Sequence, residues 1–460
     1  MAGIGFELRK VVGQKGLTGF IKASLSGTII VAGPWLISIA GITIIQTMTV
    51  ESFQELPGAF MASVIYCYAF SLILGGGFHY IFTRVISDLL YEKDEAGAFY
   101  YLLKFLIPTT IISTLIGLPA VLTFSMTISH PFLFSMGTLL LFISINILWV
   151  VMLFISVLKW YMQIMISFSL GMGASVLLLI ILGNLYGTGG AIMGFALGHL
   201  IICAILIFIS FLSYRPKKRE GMKGRYLRYF IKYKFLFLTG AFYYLGIWVD
   251  KVINWFVAGT AIAGTFLSIY EPYDVTVYFA NLSMIPGLVF FVVSSETKFY
   301  ILFKKFLISL GRTRFSEIQR HKYRLISSTM KSIREQSIFQ GLITLLFVLI
   351  APSISSFISH GKTEPVVIIT TLCAIFFQLL YLTFLNFLFY LEMYRRAFYA
   401  AFTYFIVNLS VSYIAALISV EKLSGIGYLA GGIAGTVVAF IAYSHSIRKI
   451  DRYILAGIRY

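Results

Sequence analysis

The chain has 460 residues, 59% of them hydrophobic and 12% charged, with 43 Phe and 29 Tyr. That apolar content exceeds what a water-soluble core of this length needs, so most of the surface faces lipid. The net charge of +18 would suit a nucleic-acid partner, but the basic residues flank apolar stretches instead of sharing one folded face, which argues against it.

In chain order, residues 4–20 read as an amphipathic helix lying in the cytoplasmic interface, within an N-terminal segment 1–22. The apolar run after Lys22 is too long for a signal h-region and lacks a small-residue cleavage site, so it is expected to remain as the first span. A bilayer core about 30 Å thick needs about 20 apolar helical residues. Twelve segments of that size are predicted, at 23–47, 59–83, 102–127, 131–158, 161–183, 189–213, 235–259, 273–297, 337–359, 365–391, 397–419 and 424–446. The gaps at His130-Pro131 and at Lys159 are short enough to make tight hairpins. Residues 86–101 and 300–334 are expected to lie in the interface.

All but three of the 36 Lys and Arg fall at the termini or in every second gap; the exceptions are Lys362, Lys422 and the intramembrane Lys251. The opposite gaps carry Glu51, Glu55, Glu271, Asp274, Glu364 and Glu421. Retained base and translocated acid place both termini in the cytoplasm. The basic linker 214–234 separates an N-lobe, 23–213, from a C-lobe, 235–446, which holds a basic cytoplasmic loop at 298–336 and is followed by a tail at 447–460. A faint repeat makes the halves equivalent: Ser26-Gly27 with Trp35 recurs 213 residues on as Thr239-Gly240 with Trp248, and Arg84 pairs with Lys298 at nearly the same offset.

Enzymatic chemistry finds no footing. No G-x-x-x-x-G-K-[ST], H-E-x-x-H or G-x-S-x-G motif occurs, and the six histidines are scattered, so no catalytic residue, cofactor or metal site is expected. Cys67, Cys203 and Cys373 lie in apolar segments without CxxC spacing and read as small buried residues.

Asp250 and Lys251 stand in the middle of span seven, where each charge costs about 2.5 to 3.5 kcal/mol on insertion scales. Neighbours on a helix point about 100 degrees apart, so the two are expected to serve different partners. Two readings stay open: the lining of a transport path, or a self-neutralising pair that pins helix packing. Tyr243, Tyr244, Trp248, Asn254 and Trp255 around them favour a carbohydrate path, since sugars offer hydroxyls to hydrogen bonds and C–H faces to rings. In span eight, Asn281 and Pro286 mark a polar, kinked helix, whether hinge or purely structural. Gly75-Gly76-Gly77 is expected to loosen span two before His79. The glycines at 171, 173, 183, 187, 189, 190, 194 and 198 are expected to let spans five and six approach closely.

The opening Met-Ala-Gly-Ile-Gly-Phe-Glu-Leu-Arg-Lys with Ala32-Gly33-Pro34-Trp35 resembles the PelG family, the inner-membrane component of Pel exopolysaccharide export. The resemblance continues through Phe82-Thr83-Arg84-Val85-Ile86-Ser87-Asp88, Trp248-Val249-Asp250-Lys251, Tyr273-Asp274, Ile285-Pro286 and Glu296-Thr297-Lys298-Phe299-Tyr300, and runs over the whole chain. It implies membership of the multidrug/oligosaccharidyl-lipid/polysaccharide exporter superfamily: an all-α integral membrane protein whose twelve transmembrane helices form two six-helix lobes around a central cavity. It further implies export of an amino-sugar polymer beside a PelF-like cytosolic glycosyltransferase and PelD-like and PelE-like membrane proteins, with cyclic-di-GMP control exerted through PelD.

The expected function is therefore transport of a Pel-type exopolysaccharide for biofilm matrix across the cytoplasmic membrane. The transport-path candidates are Asp250, Lys251, Trp248, Trp35, Tyr244, Asn254 and Asn281. The cytoplasmic-gate or partner-docking candidates are Arg84, Glu296, Lys298, Arg215, Lys217, Lys218 and Arg219, with anionic lipid as the other partner for these basic faces. Alternatives are a lipid-linked oligosaccharide flippase, a cation-coupled multidrug antiporter needing a titrating Asp250, and a non-transporting scaffold for the synthase.

Overall fold

Long apolar segments punctuated by short polar gaps fold here as helices whose backbone groups bond within each segment, as lipid requires. The computed structural model describes residues 33, 36–38, 41, 58–214, 225–357, 363–418 and 423–455. The interfacial helix at 4–20, most of span one and the basic residues 215–223 lie outside them.

The N-terminal helices are α1 (Ala59–Tyr91), α2 (Glu95–Leu122), α3 (Pro131–Val157) and α4 (Tyr161–Ser213). The short α5 (Arg225–Lys232) and α6 (Lys234–Val257) follow. Then come α7 (Glu271–Phe290), a π-helical turn over Phe291–Glu296, α8 (Thr297–Arg312) and α9 (Phe315–Leu349). The chain closes with α10 (Ala351–Phe357), α11 (Pro365–Tyr390), α12 (Tyr394–Leu417), α13 (Ile426–Arg448) and α14 (Ile450–Leu455).

Among the described residues, nine helices are long and apolar enough to cross a membrane. The 53-residue α4 is one of them, and it breaks at Tyr186 and Gly187, whose backbone is not helical. The predicted fifth and sixth spans therefore lie on either side of that break. The ninth is not among the nine: α9 begins in the charged segment and stops at Leu349, with α10 starting just before Pro352, which has no N–H to continue the ladder.

Three corrections to the sequence reading follow. Residues 86–101 are not an interfacial helix, but the end of α1, a turn and the start of α2. Gly75-Gly76-Gly77 does not loosen span two, since α1 runs unbroken through it. The chain is also not purely helical: Thr260–Ala261 and Ser268–Ile269 pair as an antiparallel hairpin. Tyr66 fixes that hairpin, donating its hydroxyl to Ser268 O at 3.0 Å and accepting from Ser268 N at 3.2 Å.

By contact, the described residues divide into two compact units. Residues 33–244 and 259–270 form one, and residues 245–258 and 271–455 the other, so α6 contributes a half to each. In the first, the two halves of α4 pack as the glycine pattern predicts: a Cβ at Gly194 would stand 2.5 Å from Leu178 backbone, and Gly171, Gly190 and Gly198 are as tightly packed. Gly173 departs from the pattern, with nothing within 4 Å.

Three helix ends share one stereochemistry. Lys93, Lys159 and Glu392 adopt positive φ of 59°, 65° and 55°. The following residues, Asp94, Trp160 and Met393, return N–H bonds of 2.9, 3.2 and 2.9 Å to Leu89, Ile155 and Leu388 carbonyls. This is the Schellman closure, whose left-handed residue is usually glycine. A side chain there is strained by about 1 kcal/mol. Lysine occupies two of these turns and glutamate the third. Lys93→Gly and Lys159→Gly are each expected to raise stability by up to about 1 kcal/mol, read as a higher melting temperature in detergent.

The C-terminal α14 is tied to α9 by Lys322, whose ammonium lies 2.8 Å from the Asp451 carboxylate, while Gln319 donates at 3.4 Å. Partial burial pushes the Asp451 carboxyl up, but the Lys322 and Gln319 hydrogen bonds and the Lys322 charge bring it below its ordinary value. A depressed folded value means the contribution is full above the unfolded carboxylate value of about 3.9 and is lost as pH falls through the folded one. Hydrogen exchange of residues 450–455, corrected for intrinsic rate, is expected to show protection at pH 5 that falls away as the pH is lowered below the ordinary carboxylate range.

Candidate functional site

Five helices of the second unit bring polar side chains to one buried point. Asp250 and Lys251, from α6, are 0% and 2% exposed. The lysine stem curls back, so that Nζ lies 3.2 Å from Asp250 Oδ2 and donates to Ile247 O at 2.8 Å. Its third face meets the ring of Tyr428, from α13, 3.5 Å from the centroid. Tyr428 in turn donates its hydroxyl to Gln378 of α11.

The carboxylate is equally committed. Tyr273 of α7 donates to Oδ2 at 2.5 Å, and Asn408 of α12 donates to Oδ1 at 3.0 Å and to Gly246 O at 2.7 Å. Ser412 completes Asn408 by donating to its Oδ1 at 2.9 Å. The expectation of separate partners is thus half met: each charge has partners of its own, yet the flexible lysine stem overcomes the 100-degree divergence and closes an ion pair. Low dielectric makes such a network strong when complete and costly when broken.

One turn further, Asn254 donates to Asp250 O at 2.7 Å and accepts from Ser424 at 3.1 Å. Trp255 is 0% exposed and donates its Nε1 to both Asp274 oxygens, at 2.8 and 3.0 Å. Trp248 is half-buried, 6.2 Å from Trp255 between ring centroids, and its Nε1 is buried with no hydrogen-bond partner among the described residues. Asn281 is half-buried and donates to Val277 O in its own helix.

The other predicted residues scatter. Trp35, Arg215, Lys217, Lys218 and Arg219 lie outside the described residues. Tyr244 falls in the first unit, where its ring meets Gly76. Arg84, in the same unit, pairs with Asp88 at 3.3 Å and lies over Tyr233, while Tyr229 donates to Asp88 at 3.0 Å. In the second unit Glu296 is buried and accepts from Tyr390 at 2.6 Å. Among the described residues Lys298 pairs with Glu335, at 3.8 Å and well exposed, an ion pair of little energetic weight.

Asn408, Tyr428 and Gln378 escaped the sequence reading. Their signal was present, since an amide in an apolar span is costly unless bonded, but their distance in sequence from Asp250 hid the pairing.

The model of the PelG family, described as "Putative exopolysaccharide Exporter (EPS-E)", matches residues 1–455. No curated protein matches the chain. Among solved structures, the fold is similar to that of a point mutant of a MATE protein, with a TM-score of 0.62 at 12% identity over 93% of this chain and 96% of that one. A multidrug resistance MATE family transporter of the MOP superfamily, in an outward-facing conformation, gives 0.61 at 11% identity, covering 98% and 100%. A MOP superfamily transporter from Pyrococcus furiosus, for which a binding pocket of reversed polarity is described, gives 0.54 at 13%, covering 92% and 96%.

Proposed function

The chain belongs to the PelG family of exopolysaccharide exporters and is a multi-pass membrane transporter, not an enzyme, and from that premise we propose that it passes a Pel-type amino-sugar polymer outward across the cytoplasmic membrane into a biofilm matrix. In this reading twelve spans form two six-helix halves, 23–213 and 235–446, with both termini in the cytoplasm. The alternation of basic and acidic gaps supports that orientation. A PelF-like glycosyltransferase supplies the polymer at the inner face, with PelD-like and PelE-like membrane proteins beside it. Arg84, Glu296, Lys298 and the basic segment at Arg215, Lys217, Lys218 and Arg219 form the docking side, shared with anionic lipid.

Trp248, Asn254, Asn281, Tyr244 and Trp35 supply rings and amides to the path. Asp250 and Lys251 serve it from within, by holding together the helices that carry Trp248, Asn254 and Asn281. The observation that carries the reading is the family match along nearly the whole chain. Its test is reconstitution of the purified chain with its glycosyltransferase in vesicles. Polymer that becomes lumenal only when the chain is present is the expected result; polymer that stays outside in its presence overturns the reading.

A further inference from the structure

The first unit contains a cavity of about 250 Å³ lined by α1, α2, α3 and α5. Its walls are mainly apolar, with Phe78, Phe105, Ile112, Val150 and Phe230 among them. Five polar residues interrupt this lining: Thr109 and Ser113, whose hydroxyls donate to Phe105 O and Thr109 O of their own helix, and His79, Asn146 and Lys104. The His79 ring is 6% exposed and has no hydrogen-bond partner among the described residues. It occupies the space over Gly75, where a Cβ would collide with it. Asn146 is 2% exposed and commits its Nδ2 to Phe142 O at 2.8 Å, leaving its Oδ1 without a described partner. Lys104 is exposed at the rim, its ammonium over the Tyr100 ring at 5.8 Å and with no carboxylate partner among the described residues.

An apolar slot with uncommitted polar groups is a ligand site in form. Both residues are buried, and the His79 ring and the Asn146 Oδ1 have no partner among the described residues, so a ligand in the cavity can supply one. The bilayer is the adjacent source. On α2 the neighbouring Ile107, Ile111 and Leu115 are 53%, 52% and 67% exposed, as a lipid-facing surface is. Pro108 lines the cavity and removes one N–H bond from that helix. The site lies toward the cytoplasmic side: His79 stands five residues before Arg84, about 7.5 Å along the helix, and Lys104 stands at the start of the predicted span 102–127, beside a retained basic gap.

We propose that this cavity binds an amphiphile of the cytoplasmic leaflet, with an apolar chain between Phe105 and Val150, a phosphate on Lys104, and hydrogen bonds from its head or linkage to His79 and Asn146. The assignment to that leaflet rests on the orientation given under Proposed function; the binding itself does not. Bulk anionic phospholipid and a polyprenyl phosphate carrier share this chemistry. The volume takes a segment of one chain and not a whole lipid.

Native mass spectrometry of the purified full chain tests it, with dioleoyl phosphatidylglycerol, a long-chain polyprenyl monophosphate and dioleoylglycerol as probes. Wild type is expected to retain a phosphate-bearing probe. Val150→Trp, which fills the slot, is expected to weaken that retention about tenfold or more, and Lys104→Gln about tenfold, while leaving dioleoylglycerol unchanged. Whichever phosphate probe survives competition identifies the source. Equal retention of all three probes, or retention unchanged in a folded Val150→Trp, overturns the proposal. Should Val150→Trp fail to fold, Ile112→Phe fills the same slot from another helix, with the same two outcomes. The measurement involves no polymer, so its failure is separate from failure of export in the vesicle assay.

Discussion

Lys251→Met is expected to destabilise the second unit by about 3 to 5 kcal/mol, because it strands the Asp250 carboxylate in a place that is 0% exposed. Tyr273 and Asn408 would still donate to that carboxylate, but two neutral hydrogen bonds do not replace a cation. Asp250→Asn leaves the ammonium with neutral groups in place of the carboxylate, namely the new amide oxygen, Ile247 O and the Tyr428 ring, which is also a large loss. Asp250→Asn combined with Lys251→Met removes both charges and keeps an acceptor for Tyr273 or Asn408. It is expected to recover most of the loss, since neutral replacements of buried ion pairs are often nearly neutral in energy. Detergent melting together with export in the same strains reads the outcome. The single variants should fail to accumulate as folded protein, and the double variant should restore folded protein and export together. If the single variants fold like wild type and lose export alone, the pair touches the polymer directly and the clamp assignment fails.

That experiment bears on how far sequence carries in a membrane protein. The helices were legible because lipid imposes one rule, a long apolar run, and charge in alternate gaps imposes a second. Asp250 and Lys251 were legible for the same reason, as exceptions to the first rule. The partners that satisfy them were not, because no periodicity links position 250 to Asn408 or Tyr428; only tertiary packing does. Local conformation was misjudged for a different reason. Gly75-Gly76-Gly77 has low helix propensity in water, yet in lipid a helix has no solvent to which it can lose its backbone bonds. The hairpin at Thr260–Ala261 and Ser268–Ile269 is two residues per strand, too short for an alternating pattern to register.

The same glycines set the second large expectation. Gly240, on α6, faces Gly76 on α1 so closely that a Cβ on Gly240 would stand 2.5 Å from the Gly76 carbonyl oxygen, and a Cβ on Gly76 would stand 2.8 Å from the Gly240 oxygen. One residue along, Gly77 meets Phe237 in the same way, with its ring at 2.6 Å and its carbonyl at 2.8 Å. Without a hydrophobic drive between helices in lipid, such backbone contact supplies the packing itself. Gly240→Val is therefore expected to cost at least the about 1 to 3 kcal/mol of an overpacked core, since the opposing atom is backbone and cannot rotate away. Gly76→Val should do the same, and the double variant should be worse than either, because both side chains claim one space. Gly173→Val supplies the control: nothing lies within 4 Å of a Cβ there, so it should accumulate and export normally. Comparable losses at positions 173 and 240 would show that helix propensity, and not close approach, governs glycine in these spans. The triplet that looked like a weak point in the sequence is, on this account, the surface on which α1 and the first half of α6 are joined.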